Sequence, residues 1–78
     1  MTANYLNKIK EVLFKKFGVE PEEVESDSYF TDDLNLSELE IDELLVELEE
    51  IYHTSLMEEK EEIKSVEDLI DLLVEKLE

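Results

Sequence analysis

Ser37 and Glu38 stand side by side ahead of an acidic, amphipathic run, and they offer two different chemistries. A serine hydroxyl is a nucleophile that can be esterified. A glutamate has no hydroxyl to esterify. Both residues fall where a helix is expected to begin. Ser37 and Glu40 also fit an S-x-x-E capping box, in which the hydroxyl accepts the N3 amide and the carboxylate reaches back to the cap amide. Capping alone therefore accounts for Ser37, and esterification is the alternative. Glu38 in the first turn is favoured by roughly 0.3–1 kcal/mol of dipole interaction. It could also mimic the charge of a phosphate.

Past this pair, Glu40, Glu43, Glu47 and Glu50 recur on one side of the predicted helix, with Val46 as an apolar residue among them. Such a run is either a solvated face or a docking surface for a basic partner. The charge of the whole chain bears on the choice. Asp and Glu outnumber Lys and Arg 24 to 7, a formal charge of −17. That charge repels nucleic acid and anionic membranes, and it speeds encounter with basic proteins. Disorder is disfavoured, because 42% of residues are hydrophobic and they recur with a helical period.

Other chemistries are excluded. With no cysteine there is no disulfide, thiolate metal site or cysteine nucleophile. His53 alone cannot build a His-based metal site or a catalytic triad, and it is expected at the surface. Asp27 to Glu38 has the length of an EF-hand loop, but Tyr29 and Asp32 occupy the ligand and glycine positions, so no specific metal site is expected. No nucleophile, base and orienting group converge in any motif, so an enzyme is not expected. No stretch approaches the ~18 apolar residues that span a bilayer, and no basic-then-apolar leader is present. A cytoplasmic, monomeric, single domain covering residues 1–78 is expected.

The elements that must position these residues are all helical. Tyr5, Leu6, Ile9, Val12, Leu13 and Phe17 form one apolar stripe, predicting a helix from about Ala3 to Phe17. Lys15 and Lys16 suit its last turn, and Gly18 suits a left-handed C′ position. Pro21 bars continuation. From Val19 to Leu36 runs a long connection, with Val24, Tyr29, Phe30 and Leu34 as expected anchors. The second helix starts at Ser37 and buries Ile41, Leu44, Leu45, Leu48, Ile51 and Tyr52; Val46 is expected to be the one apolar residue outside that stripe. A short turn is expected around Glu58–Glu62. Ser65 and Asp68 signal the last helix, whose stripe is Val66, Leu69, Ile70, Leu73, Val74 and Leu77. No strand pattern is present. The fold class is all-α: a small bundle of three main helices plus one short helix, with a long first loop.

That order, from about Tyr5 to Leu77, resembles the acyl carrier protein family. Phe17-Gly18-Val19, Glu22-Glu23-Val24, Tyr29-Phe30, Ile63 and Ser65-Val66 resemble the family's turn, loop anchor, approach to the site and entry to the last helix. The family's site reads as an acidic pair, Leu, Gly, a variable residue, then Asp-Ser-Leu. Laid without gaps on this chain, the pair is Asp32-Asp33, the leucine is Leu34, the glycine position is Asn35, and the triplet is Ser37-Glu38-Leu39.

The resemblance implies a serine bearing 4′-phosphopantetheine, whose thiol holds acyl groups as thioesters, and docking on basic patches of partner enzymes. Here the serine position is Glu38, and the preceding aspartate is Ser37. The expectation is therefore an acyl-carrier-like, non-catalytic acidic docking module without the arm, which binds basic surfaces of acyl-transfer enzymes through Glu40, Glu43, Val46, Glu47 and Glu50. The alternative is a functioning carrier in fatty-acid or acyl-group biosynthesis, with the arm on Ser37. A third reading is a designed or decayed bundle with no partner; the long irregular loop argues against idealised design.

Overall fold

A computed structural model describes residues 4–78. It contains three α-helices: α1 (Tyr5–Phe17), α2 (Glu38–Tyr52) and α3 (Val66–Leu77). Ala3, the expected start of the first helix, lies outside the described residues. α1 packs against both α2 and α3. Tyr5, Ile9, Val12 and Leu13 from α1 meet Ile41, Leu44, Leu45 and Leu48 from α2 and Val66, Leu69 and Leu73 from α3. These are the apolar stripes of the sequence. Their outermost members, Leu6, Phe17, Ile51, Tyr52, Ile70 and Val74, are only partly buried, and Leu77 is exposed.

The helix ends follow local chemistry. α1 stops at Gly18, whose φ of 71° is the left-handed conformation that glycine adopts without a Cβ penalty. Ser65 opens α3 with a reciprocal capping box: Asp68 N donates to Ser65 Oγ, and Ser65 N donates to Asp68 Oδ2, both at 3.2 Å. α2 ends on His53, an exposed residue at φ 56°. A β-carbon there costs about 1–2 kcal/mol.

The long first connection is not structureless. Pro21–Glu23 form a 3₁₀ turn with proline at its first position. Val24, Phe30, Leu34 and Leu36 are buried anchors. Leu36 is an anchor that the sequence did not reveal, and Tyr29 corrects an expectation, because its side chain is 52% exposed. Its backbone carries its role: the Tyr29 carbonyl accepts from Asp33 and Leu34, and Tyr29 bridges to Ser65. Phe30 N donates to the Lys64 carbonyl and Val66 N to the Ser28 carbonyl, so the loop is sewn to the entry of α3.

The second connection holds two 3₁₀ turns, Met57–Glu62, with a break at Glu59. Glu49 of α2 fixes its entrance, where its Oε2 accepts from Leu56 N at 2.6 Å and Met57 N at 2.9 Å. Leu56 and Ile63 are buried at either end of the segment.

Candidate functional site

The head of α2 gathers the residues singled out by their chemistry. Ser37 is the N-cap. Its Oγ accepts from Glu40 N at 3.2 Å, and its own N–H donates to Glu40 Oε1 at 2.9 Å. Ser37 is exposed, and its O–H donates to none of the described residues. The approach to the cap is tied by hydrogen bonds. Asp33 Oδ2 accepts from Tyr29 N at 2.8 Å, so the second acid of the pair shapes the turn. Asn35 takes φ 58°, a left-handed conformation for which glycine is the usual residue and asparagine the next best tolerated.

Glu38 is exposed in the first turn, and its carboxylate is not free. Lys60 Nζ lies 3.1 Å from Glu38 Oε2 and 2.7 Å from Asp42 Oδ1. Glu38 and Asp42 are four residues apart, hence on one side of the helix. The Lys60 ammonium is held above its ordinary pKa, first by Asp42 and then by Glu38. This triad was not legible in the sequence, because Lys60 arrives from the distant second connection.

Beside the triad opens a cavity of about 520 Å³, among whose walls are Tyr29 and Thr31 from the first loop, Glu38 and Ile41 from α2, and Lys60 and Ile63 from the second connection. Among the described residues no group of three or more His, Asp or Glu is gathered to hold a metal.

The acidic side of α2 divides into two strips. Leu39, Glu43, Val46 and Glu50, spaced four, three and four residues apart, share one outward face, and all four are exposed. Leu39 is 67% exposed, more than Val46 at 44%, so Val46 is not the only apolar residue outside the stripe. Leu39 precedes the first buried residue of α2, so the apolar period did not register it. Glu40 and Glu47 lie to one side and are half-buried. Glu40 serves the capping box, and Glu47 lies 4.0 Å from Lys16 of α1.

The described residues thus form a short helical bundle with a stitched first loop, a capped second helix and an acidic outer face that exposes Leu39 and Val46. Comparison with known proteins makes the class specific. No family model matches the chain. The acyl carrier protein of Petrotoga mobilis is 38% identical over 99% of this chain and 93% of its own length. That of Rubrobacter xylanophilus is 38% identical over 90% of this chain and 88% of its own. That of Thermosynechococcus vestitus is 34% identical over 96% and 94%. The chain belongs to the acyl carrier protein family. It is accordingly a carrier-type protein and not a catalyst. No helix among the described residues is long and apolar enough to cross a membrane.

Proposed function

We propose that this protein works as an acyl carrier in the cytoplasm, with 4′-phosphopantetheine attached through the Ser37 hydroxyl. The names of its relatives, each matched over most of both chains, carry the reading and favour it over the armless module expected from Glu38. The local chemistry of Ser37 fits the group. Its hydroxyl is exposed, its proton is uncommitted among the described residues, and it sits at the opening of a 15-residue helix. The first amides there have no partner within the helix and suit an anionic phosphodiester. When attached, the arm supplies the thiol that carries an acyl group as a thioester. The residues of this chain position its root. The capping box fixes Ser37, and the buried Leu36 anchors the turn before it.

Docking on basic surfaces of acyl-transfer enzymes is assigned to α2. Glu43 and Glu50 supply exposed charge, and Leu39 and Val46 supply apolar contact. Glu40 and Glu47, expected as equal members of the face, contribute from its side.

One observation favours a second reading, a docking module without an arm. Asn35 adopts the glycine-like conformation at the position where the gapless register puts the family's glycine. That register leaves Glu38 at the serine position.

One experiment separates the two. The protein is incubated with coenzyme A and a broad-range phosphopantetheinyl transferase, and intact mass is measured. The carrier reading expects a gain of one phosphopantetheine group that is lost in Ser37→Ala and kept in Glu38→Gln. No gain in the wild type, with gain in the double variant Ser37→Asp, Glu38→Ser, would overturn it in favour of the armless module.

A further inference from the structure

The few positive charges of the chain are not spread evenly. Of its seven basic residues, four stand on α1. Three of these, Lys8, Lys15 and Lys16, line a groove of about 320 Å³ whose other wall is Glu47 and Ile51 of α2. The groove sets three ammoniums against two carboxylates, Glu11 and Glu47, so it is locally positive in a chain of charge −17. The three lysines are held differently. Lys8 Nζ donates to Glu11 Oε1 at 3.1 Å. Lys15 lies 3.9 Å from Glu11, and Lys16 lies 4.0 Å from Glu47. Those two distances are too long for hydrogen bonds, so both ammoniums are only loosely engaged.

Lys15 and Lys16 are therefore free to exchange partners. When Lys15 turns away, Lys8 still neutralises Glu11. When Lys16 and Glu47 part, each offers an unpaired charge of its own sign. Glu47 lies one turn from both Glu43 and Glu50, so the groove is continuous with the outward strip of α2. A free anion gains little here, because the chain as a whole repels it. A carboxylate fixed to a basic protein meets different conditions. The basic patch is drawn to α2, and it delivers the carboxylate to the groove at high effective concentration.

We propose that the groove between α1 and α2 recognises a carboxylate on the partner enzyme, set beside the basic patch that meets Glu43 and Glu50. The carboxylate pairs with Lys15 and Lys16. Glu47, released from Lys16, joins the strip that faces the patch. Lys15 and Lys16 act as specificity residues: they favour a partner with an acid at that place and repel one that is basic throughout. The inference rests on the docking reading of α2 and needs no group on Ser37.

The test uses the full chain and a set of helical peptides that share one row of lysines. The parent peptide has glutamines flanking the row, and each other peptide has a single glutamate in place of one of them. Affinity is read by fluorescence anisotropy at low ionic strength. The parent is expected to bind and to lose affinity to Glu43→Lys. A parent that does not bind, or that ignores Glu43→Lys, would remove the docking reading and this inference with it. A glutamate at one place along the flank is expected to tighten binding about twofold to fivefold over the parent, although the net charge of the chain opposes it. That gain is expected to vanish in the double variant Lys15→Gln, Lys16→Gln, and to persist in Lys10→Gln, which removes a charge of α1 outside the groove. Should the double variant fail to fold, Lys15→Gln alone decides, at a side chain that is 70% exposed. If the parent binds through Glu43 and no glutamate tightens binding, the docking reading stands and the groove does not select an acid. A gain lost as fully in Lys10→Gln as in the groove variants would also overturn the inference.

Discussion

Ser37 and Glu40 satisfy each other at the head of α2, each backbone N–H donating to the other's side chain at 2.9 and 3.2 Å. The pair fixes where the helix begins, so it also fixes the root of any group carried there. Ser37→Ala removes the acceptor for Glu40 N and is expected to cost about 1 kcal/mol. Ser37→Asp keeps an acceptor and is expected to stay near wild type. Urea unfolding of the three proteins checks this. An alanine variant as stable as wild type would remove the capping role and leave Ser37 with attachment alone.

The two left-handed residues among the described ones that are not glycine, Asn35 and His53, give a second prediction. Asn35→Ala is expected to destabilise by about 1 kcal/mol, since alanine has no polar group to ease the strain of its β-carbon. His53→Gly is expected to stabilise by a similar amount, because it relieves the same strain at the end of α2. Thermal melts of both variants test the claim. Opposite signs support it, and two destabilised variants would contradict it.

These residues also mark what could be read from the sequence. Gly18, Ser37 and Ser65 were legible because a cap is decided within a few neighbouring residues. The helical stripes were legible because they repeat. Tyr29 was misread because a loop has no period, and an aromatic there can be outside while its backbone does the pinning. Leu36, next to the cap, gave no signal for the same reason. At the site, the cap and the acids of α2 were visible. The sharing of Glu38 and Asp42 by Lys60 was not, because it forms only once the second connection folds back on α2.

Alkaline titration gives a third prediction. Tyr5 Oη donates to Glu78 Oε2 at 2.7 Å, which ties α1 to the residue after α3. That hydrogen bond, with burial and the nearby carboxylate charge, pushes the Tyr5 pKa up to about 12. The fold therefore favours the protonated phenol. Its contribution to stability is complete below the ordinary value near 10 and is lost as pH rises through about 12. Tyr5→Phe is expected to remove the latest phenolate step from the absorbance titration and to flatten the fall of stability across that window. An unchanged late step would assign it to another tyrosine.

Salt should act on the whole chain. With 24 acids against 7 bases, the compact state brings like charges together, and the few ion pairs at its surface offset little of that. Raising sodium chloride from a few millimolar to physiological strength is expected to raise the melting temperature, and millimolar Mg²⁺ to do so at lower concentration. A melting temperature that falls with salt would show that pairs such as Lys60 with Asp42 outweigh the general repulsion.

The docking face gives the last prediction. Glu43 lies on the outward strip between Leu39 and Val46, while Glu47 lies beside it, near Lys16. Reversing Glu43 should therefore weaken binding to a basic partner enzyme more than reversing Glu47, mainly by slowing association and reducing its salt dependence. Leu39→Ala should weaken binding through dissociation instead, because it removes apolar contact without changing charge. Reversals at Glu67 and Glu75 on α3 change the net charge by the same amount and should matter less. None of these five residues is buried, so the fold is expected to survive each change. Surface plasmon resonance across a salt series measures both rates. If α3 reversals slow association as much as Glu43→Lys does, the acidity acts through its total, and α2 has no privileged face.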